Sequence, residues 1–212
     1  MKLLGRRTSV NVQKVAWTLA ELGVDHETVE MGGVFGGLDT PEYRALNPIG
    51  KVPTLIDGGL CVWESNAIVR YLAGAYGEGG FGGQDIAGRT RADIWMEWFQ
   101  NNVYAAFTSV FHNTVRLPPS QRDPAARAAG LGVVTEAFRL LEARLSEGDF
   151  LAGDRLTMGD IPAGSALFRY YTMEIERPEL PALAEYYARL CERPAYREHV
   201  MVSYDSLRMP GD

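Results

Sequence analysis

Hydrophobic and polar positions change their period once along the chain, near Tyr76. Before it, short runs suited to strands alternate with helical spacing. Lys2 to Leu4 reads as a short strand. Val12, Val15, Ala16, Leu19 and Leu22 then share one face of a helix from Val12 to Leu22, and Gly23 stops it. His26 to Glu30 and Val52 to Asp57 read as two more strands, and Asp57-Gly58-Gly59 turns the chain back into Leu60 to Trp63. A helix from Asn66 to Ala75 follows. Strand, helix, strand, hairpin and helix is the order of a small α/β sandwich.

Tyr76 to Gln84 contains five glycines and little that sustains a regular element. Beyond it the pattern is almost wholly helical. Ile94, Trp95, Trp98, Phe99, Val103, Ala106, Phe107, Val110 and Phe111 recur at helical spacing as one apolar face, which Leu117-Pro118-Pro119 ends. Pro124 to Leu145, Met158 to Met173, Pro181 to Glu192 and Ala195 to Val200 supply further helices. The expected organisation is an α/β domain over residues 1–76, a glycine-rich linker over 77–86 and an all-helical domain over 87–205.

Composition narrows the class. The 212 residues are 46% hydrophobic and 23% charged, which is globular and not disordered. A net charge of -6 disfavours a phosphate backbone as partner, so no nucleic acid is expected. The first residues lack the apolar core of a signal peptide, and no stretch approaches the ~18 apolar residues of a membrane span. A cytoplasmic protein is expected. Cys61 and Cys191, with His26, His112 and His199, are scattered and form no metal-ligand spacing, so no metal is expected.

Three short motifs could carry chemistry. In Asn47-Pro48-Ile49-Gly50-Lys51-Val52-Pro53-Thr54-Leu55, Pro53 opens a strand. Were its peptide bond cis, the Val52 backbone would face outward and pair with an extended peptide, although a trans turn proline is the commoner local reading. In Trp63-Glu64-Ser65-Asn66-Ala67-Ile68, Ser65 stands near a helix N-terminus that favours an anion, and Glu64 would attract a cation. Together they suit a zwitterionic amino acid, or else form an ordinary cap. Thr8-Ser9-Val10-Asn11 opens the first helix, where capping is the default and stabilisation of a bound thiol the alternative.

In this order and spacing, the three pieces resemble the cytosolic glutathione transferases, with the bacterial, serine-type members closest in pattern. Trp95-Met96-Glu97-Trp98 resembles the start of that family's helical domain. Leu156-Thr157-Met158-Gly159-Asp160-Ile161 is similar to its capping box, in which Thr157 and Asp160 satisfy each other's backbone donors. The resemblance implies an α/β thioredoxin-like N-terminal domain, an all-α C-terminal domain and glutathione as co-substrate. It implies a cis Pro53, with Val52 on the cysteinyl unit, Glu64 and Ser65 on the γ-glutamyl end and Lys51 near the glycyl carboxylate. Asn66 is a weaker candidate for that end. Ser9 matches the hydroxyl that activates the thiol, with Thr8 a neighbouring competitor and Asn11 an assisting position. A homodimer and a role in detoxification are implied too.

The implied reaction joins the glutathione thiolate to a hydrophobic electrophile. Tyr104, Phe107 and Phe111 are candidates to line that pocket and Arg116 to meet a polar substituent, against the ordinary reading of such a stripe as core. Two alternatives stand beside it: a disulfide or peroxide reductase or a thioether-cleaving enzyme on the same fold, and a binding module without catalysis.

Overall fold

The computed structural model describes residues 1–209. β1 (Lys2–Leu4) is central to a four-stranded sheet of order β2-β1-β3-β4. It runs parallel to β2 (Glu27–Val29) and antiparallel to β3 (Thr54–Asp57), which pairs antiparallel with β4 (Leu60–Trp63). The parallel pair needs a crossover, and α1 (Val10–Glu21) supplies it. Leu3 and Leu55 of the sheet, Val12, Val15 and Leu19 of α1, and Ile68 and Leu72 of α3 (Ser65–Ala75) form one buried core. The expected elements are thus present, with bounds shifted by one or two residues.

One element was not expected. Between β2 and β3 lies α2 (Pro41–Leu46), with Pro41 in its first turn and the Thr40 hydroxyl accepting from the Tyr43 N–H at 3.2 Å. It has six residues and buries only Tyr43, too little to print a helical period.

The helical part comprises α4 (Ile86–Asn102), α5 (Tyr104–Phe111), α6 (Pro124–Leu145), α7 (Asp160–Thr172), α8 (Pro181–Cys191) and α9 (Pro194–His199). The single apolar helix expected up to Phe111 is two, joined at Val103, whose φ of -119° departs from the usual helical value. Ile94, placed on the apolar face by its spacing, is 58% exposed. α4 buries Ala92 and Met96 together with the expected Phe99. No helix among the described residues is long and apolar enough to cross a membrane.

α7 starts at the fully buried Asp160 carboxylate. It accepts from the N–H groups of Leu151 (2.9 Å) and Thr157 (2.8 Å), and from the hydroxyls of Tyr186 (3.0 Å) and Thr157 (3.1 Å). The expected exchange of backbone donors forms with one change, since the Asp160 N–H donates to the Thr157 carbonyl at 3.1 Å. The Thr157 hydroxyl accepts from Gly159 N–H at 3.2 Å, not from Asp160.

The two parts meet across α1. Its far face places Trp17 edge-on to Tyr196 of α9, with ring centroids 5.0 Å apart. Gly164 of α7 allows that approach, since a Cβ there would lie 2.8 Å from the indole. The Trp17 indole N–H donates to Glu21 at 2.8 Å, and Arg193 grips the same carboxylate with two bonds of 2.7 and 2.5 Å.

Candidate active site

A cavity of about 390 Å³ opens where the N-terminus of α1 faces α5. Thr8, Ser9, Val10 and Asn11 form one wall, Lys51 and Val52 the second, and Tyr104, Phe107, Thr108 and Phe111 the third. Arg6, His112, Arg116 and Arg169 complete the lining with Leu38 and Leu207. It therefore joins residues from both parts of the chain.

Ser9 is the N-cap of α1, in extended conformation, yet its side chain makes no capping bond. The capping expectation fails here. The hydroxyl remains available at a wall where the first N–H groups of α1 also lack helical partners. Thr8 lines the same wall, and its carbonyl accepts from the Arg169 guanidinium at 2.7 Å. The Asn11 amide donates to the Tyr104 hydroxyl at 2.9 Å, while its oxygen accepts from the Ser65 hydroxyl at 3.3 Å. Asn11 thereby ties the helix start that carries Ser65 to the helical part.

The Val52–Pro53 bond is cis, as the resemblance implied and against the commoner local reading of a trans proline. Val52 lies outside the β1–β3 ladder, whose pairing begins at Thr54. The preceding turn is held from beneath. Asn47, 2% exposed, donates to the Lys51 carbonyl at 2.8 Å and to the Thr54 hydroxyl at 3.0 Å, and the Tyr43 hydroxyl donates to the same carbonyl at 2.7 Å. These bonds fix the backbone at Lys51 while leaving its side chain exposed.

Glu64 and Ser65 do not line the cavity themselves; they lie beyond Asn11. Glu64 adopts φ 69°, an uncommon conformation for a residue with a Cβ and one that concentrates at functional sites. Ser65 is buried while Glu64 is exposed.

Behind this group sits Lys14, fully buried on α1. Its ammonium donates to Asn66 Oδ1 at 3.4 Å and lies 4.9 Å from the centre of the Tyr104 ring. Burial pushes its pKa down to about 7, against the opposing pull of Glu64. The other amide atom of Asn66, Nδ2, is buried without a partner among the described residues. Of the sequence candidates, Ser9, Thr8, Asn11, Lys51, Val52, Tyr104, Phe107, Phe111 and Arg116 meet at one cavity. Phe107 and Phe111 are each 3% exposed and belong to the main core as well as lining this cavity.

Sequence reasoning missed Arg6, Lys14, His112 and Arg169. Arg169 left a signal, being the only charged residue between Ile161 and Thr172.

The glutathione S-transferase N-terminal domain family matches residues 1–74, and the glutathione S-transferase C-terminal domain family matches residues 124–189. Glutathione S-transferase GstB of Escherichia coli K12 is 37% identical over 202 residues, covering 94% of this chain and 97% of its own. The chain belongs to the glutathione S-transferase family. It is an enzyme of the transferase class. Glutathione S-transferase 3 of Zea mays is 31% identical, with 94% of this chain and 93% of its own covered. Among solved structures, the theta class glutathione S-transferase of Xanthomonas axonopodis pv. citri with glutathione bound superposes with a TM-score of 0.92. It is 48% identical, with 95% of this chain and 97% of that one covered. The α/β unit followed by a helical unit is the fold of this family.

Proposed function

We propose that the enzyme conjugates the thiolate of glutathione to hydrophobic electrophiles in the cavity beside Ser9. The sulfur forms a bond to an electrophilic carbon, the leaving group departs with its electron pair, and the thiol proton passes to solvent. The observation that carries the reading is a hydroxyl at a helix N-terminus that makes no cap, facing a cavity with aromatic walls.

A thiol with a pKa near 8.5 is only about 3% ionised at neutral pH, and the thiolate is the nucleophile. Lowering that pKa by about two units requires roughly 2.7 kcal/mol of preference for the anion. One hydrogen bond to a charged group contributes about 1.5–3 kcal/mol, and the positive end of α1 adds to it. Ser9 donates that bond and no general base is required. Asn11 positions Ser65 and Tyr104 around it.

Val52 offers its backbone to the cysteinyl unit, next to the buried Pro53. Ser65 and the N-terminus of α3 take the γ-glutamyl carboxylate, Glu64 its ammonium, and Lys51 the glycyl carboxylate. Phe107 and Phe111 receive the electrophile. Neither Cys61 nor Cys191 lines the cavity, which favours a thiol brought in by glutathione over a protein thiol. We assign the division to residues 1–76, 77–86 and 87–205, and further propose a cytoplasmic homodimer acting in detoxification.

The test is retention on immobilised glutathione together with glutathione-dependent turnover of 1-chloro-2,4-dinitrobenzene. Failure of both refutes the reading. Sedimentation at the mass of one chain would refute the dimer.

A further inference from the structure

The cavity is rich in positive charge although the chain is net negative at -6. Arg6, Arg116 and Arg169 all line it, with His112 beside them. Arg6 and Arg116 have no side-chain hydrogen bond or ion pair within 4.0 Å among the described residues. Arg169 is only 6% exposed. Its guanidinium lies 4.4 Å over the Phe111 ring and donates to the Thr8 carbonyl, but no carboxylate pairs with it among the described residues.

A guanidinium has five N–H donors in a fork that matches a carboxylate, and burying one without a counter-ion is costly. The charges also feel one another. Burial and then Arg116 push Arg6 down from its ordinary range, with Glu30 pulling the other way. Burial, with Arg116 and Arg169, pushes His112 down. Burial lowers Arg169 to about 10, so it stays charged at neutral pH. An anion entering this space would relieve the mutual repulsion and complete the unfilled donors. Phe107, Phe111, Leu38 and Leu207 form the apolar remainder.

We infer that the second substrate is a compact electrophile with an apolar body and one carboxylate, whose anion is held by Arg6, Arg116 and Arg169 while its reactive carbon faces the thiolate at Ser9. This rests on the conjugation reading above and names its substrate class. A cavity of about 390 Å³ lies at the small end of ligand pockets, and the thiol occupies part of it, so the body is no more than a single ring or a short chain. Arg116, at the exposed side, steers and grips the anion. Arg169, held by Thr8 and Phe111, presents a fixed donor set.

The test uses a matched pair, 4-(chloromethyl)benzoate and its methyl ester, with wild type, Arg116→Gln and Arg6→Gln. In each, the sulfur bonds to the benzylic carbon, the C–Cl bond breaks and chloride leaves with the electron pair. After division by the uncatalysed rates, wild type is expected to prefer the carboxylate in kcat/KM. Loss of one charge-assisted bond should cut that preference about tenfold or more, in the KM of the electrophile and not in that of glutathione. Added salt should raise the KM of the carboxylate.

Absence of a preference in wild type overturns the inference, as does a variant in which both substrates fall equally or the glutathione KM rises instead. The last result would assign the arginines to a carboxylate of glutathione. Turnover of the ester alone overturns the inference and leaves the conjugation reading standing. Turnover of neither electrophile overturns the inference, and the conjugation reading falls with it only if glutathione retention and turnover of 1-chloro-2,4-dinitrobenzene fail as well.

Discussion

Lys14 should make the stability of this protein depend on pH in a way that one substitution removes. Its amine is fully buried, and burial lowers its pKa from 10.5 to about 7. Below pH 7 the group is charged in both the folded and the unfolded chain, so the fold bears the full cost of a buried ammonium. Between the two values the unfolded chain still binds a proton that the fold has released, so wild-type stability rises with pH. At about 1.36 kcal/mol per pKa unit, the rise attributable to this group from pH 6 to pH 9 is on the order of 2–3 kcal/mol. Lys14→Met deletes the titration. Urea unfolding of wild type and variant at pH 6, 7.5 and 9 isolates the effect, because all other titrating groups are common to both. The stability of wild type relative to the variant should climb by that amount across the range. A difference constant to within about 0.5 kcal/mol would refute the assignment of a depressed amine. The result bears on function, since the ammonium touches Asn66 and faces the Tyr104 ring, whose hydroxyl holds Asn11.

Ser9→Ala should raise the pKa of enzyme-bound glutathione by about one to two units, read from thiolate absorbance, with the pH–rate profile moving with it. An unchanged profile would transfer the role to Thr8 or Asn11. Asp160→Ala leaves two backbone N–H groups and the Tyr186 hydroxyl without their buried acceptor, so unfolding in urea should show a loss of about 3–5 kcal/mol. A loss under about 1 kcal/mol would contradict that account. Gly164→Ala drives a Cβ to 2.8 Å from the Trp17 ring, and should cost about 1–3 kcal/mol with a change in tryptophan fluorescence. An unaltered midpoint would show that α1 and α7 separate freely.

Local patterns carried far into this fold. The period of Val12, Val15 and Leu19 and the Asp57-Gly58-Gly59 turn are local physics, and the first core and the hairpin follow from them. Ser9, Val52 and Ser65 became candidates through the order and spacing of three motifs taken together, since each motif read locally favours an ordinary cap or a trans proline. The junction at Val103 was not legible, since its neighbours keep an unbroken apolar period and the residue itself is buried. The cationic wall was hidden for another reason. Arg169 and Thr8 are separated by 161 residues, and no local spacing reports that they meet. Lys14 reads in sequence as an ordinary solvated lysine, and only the closing of α3 and α5 over it removes the water.

The geometry of the site depends on α1 being clamped on both faces. Val12, Val15 and Leu19 hold it to the sheet, while Trp17 and Glu21 hold it to α7 and α9. Its N-terminus cannot then shift without breaking contacts on one side or the other. That matters because the proposed contribution of Ser9 is a single hydrogen bond, and such bonds weaken steeply once distance and angle leave a narrow range. The cavity wall across from it is tied in the same way, through Asn11 to Tyr104 and Arg169 to the Thr8 carbonyl. Two of the polar ties that close the two parts on each other therefore run through residues adjoining Ser9. Where catalysis is positioning plus stabilisation of one anion, a rigid seam of this kind is what preorganises the donor before substrate arrives.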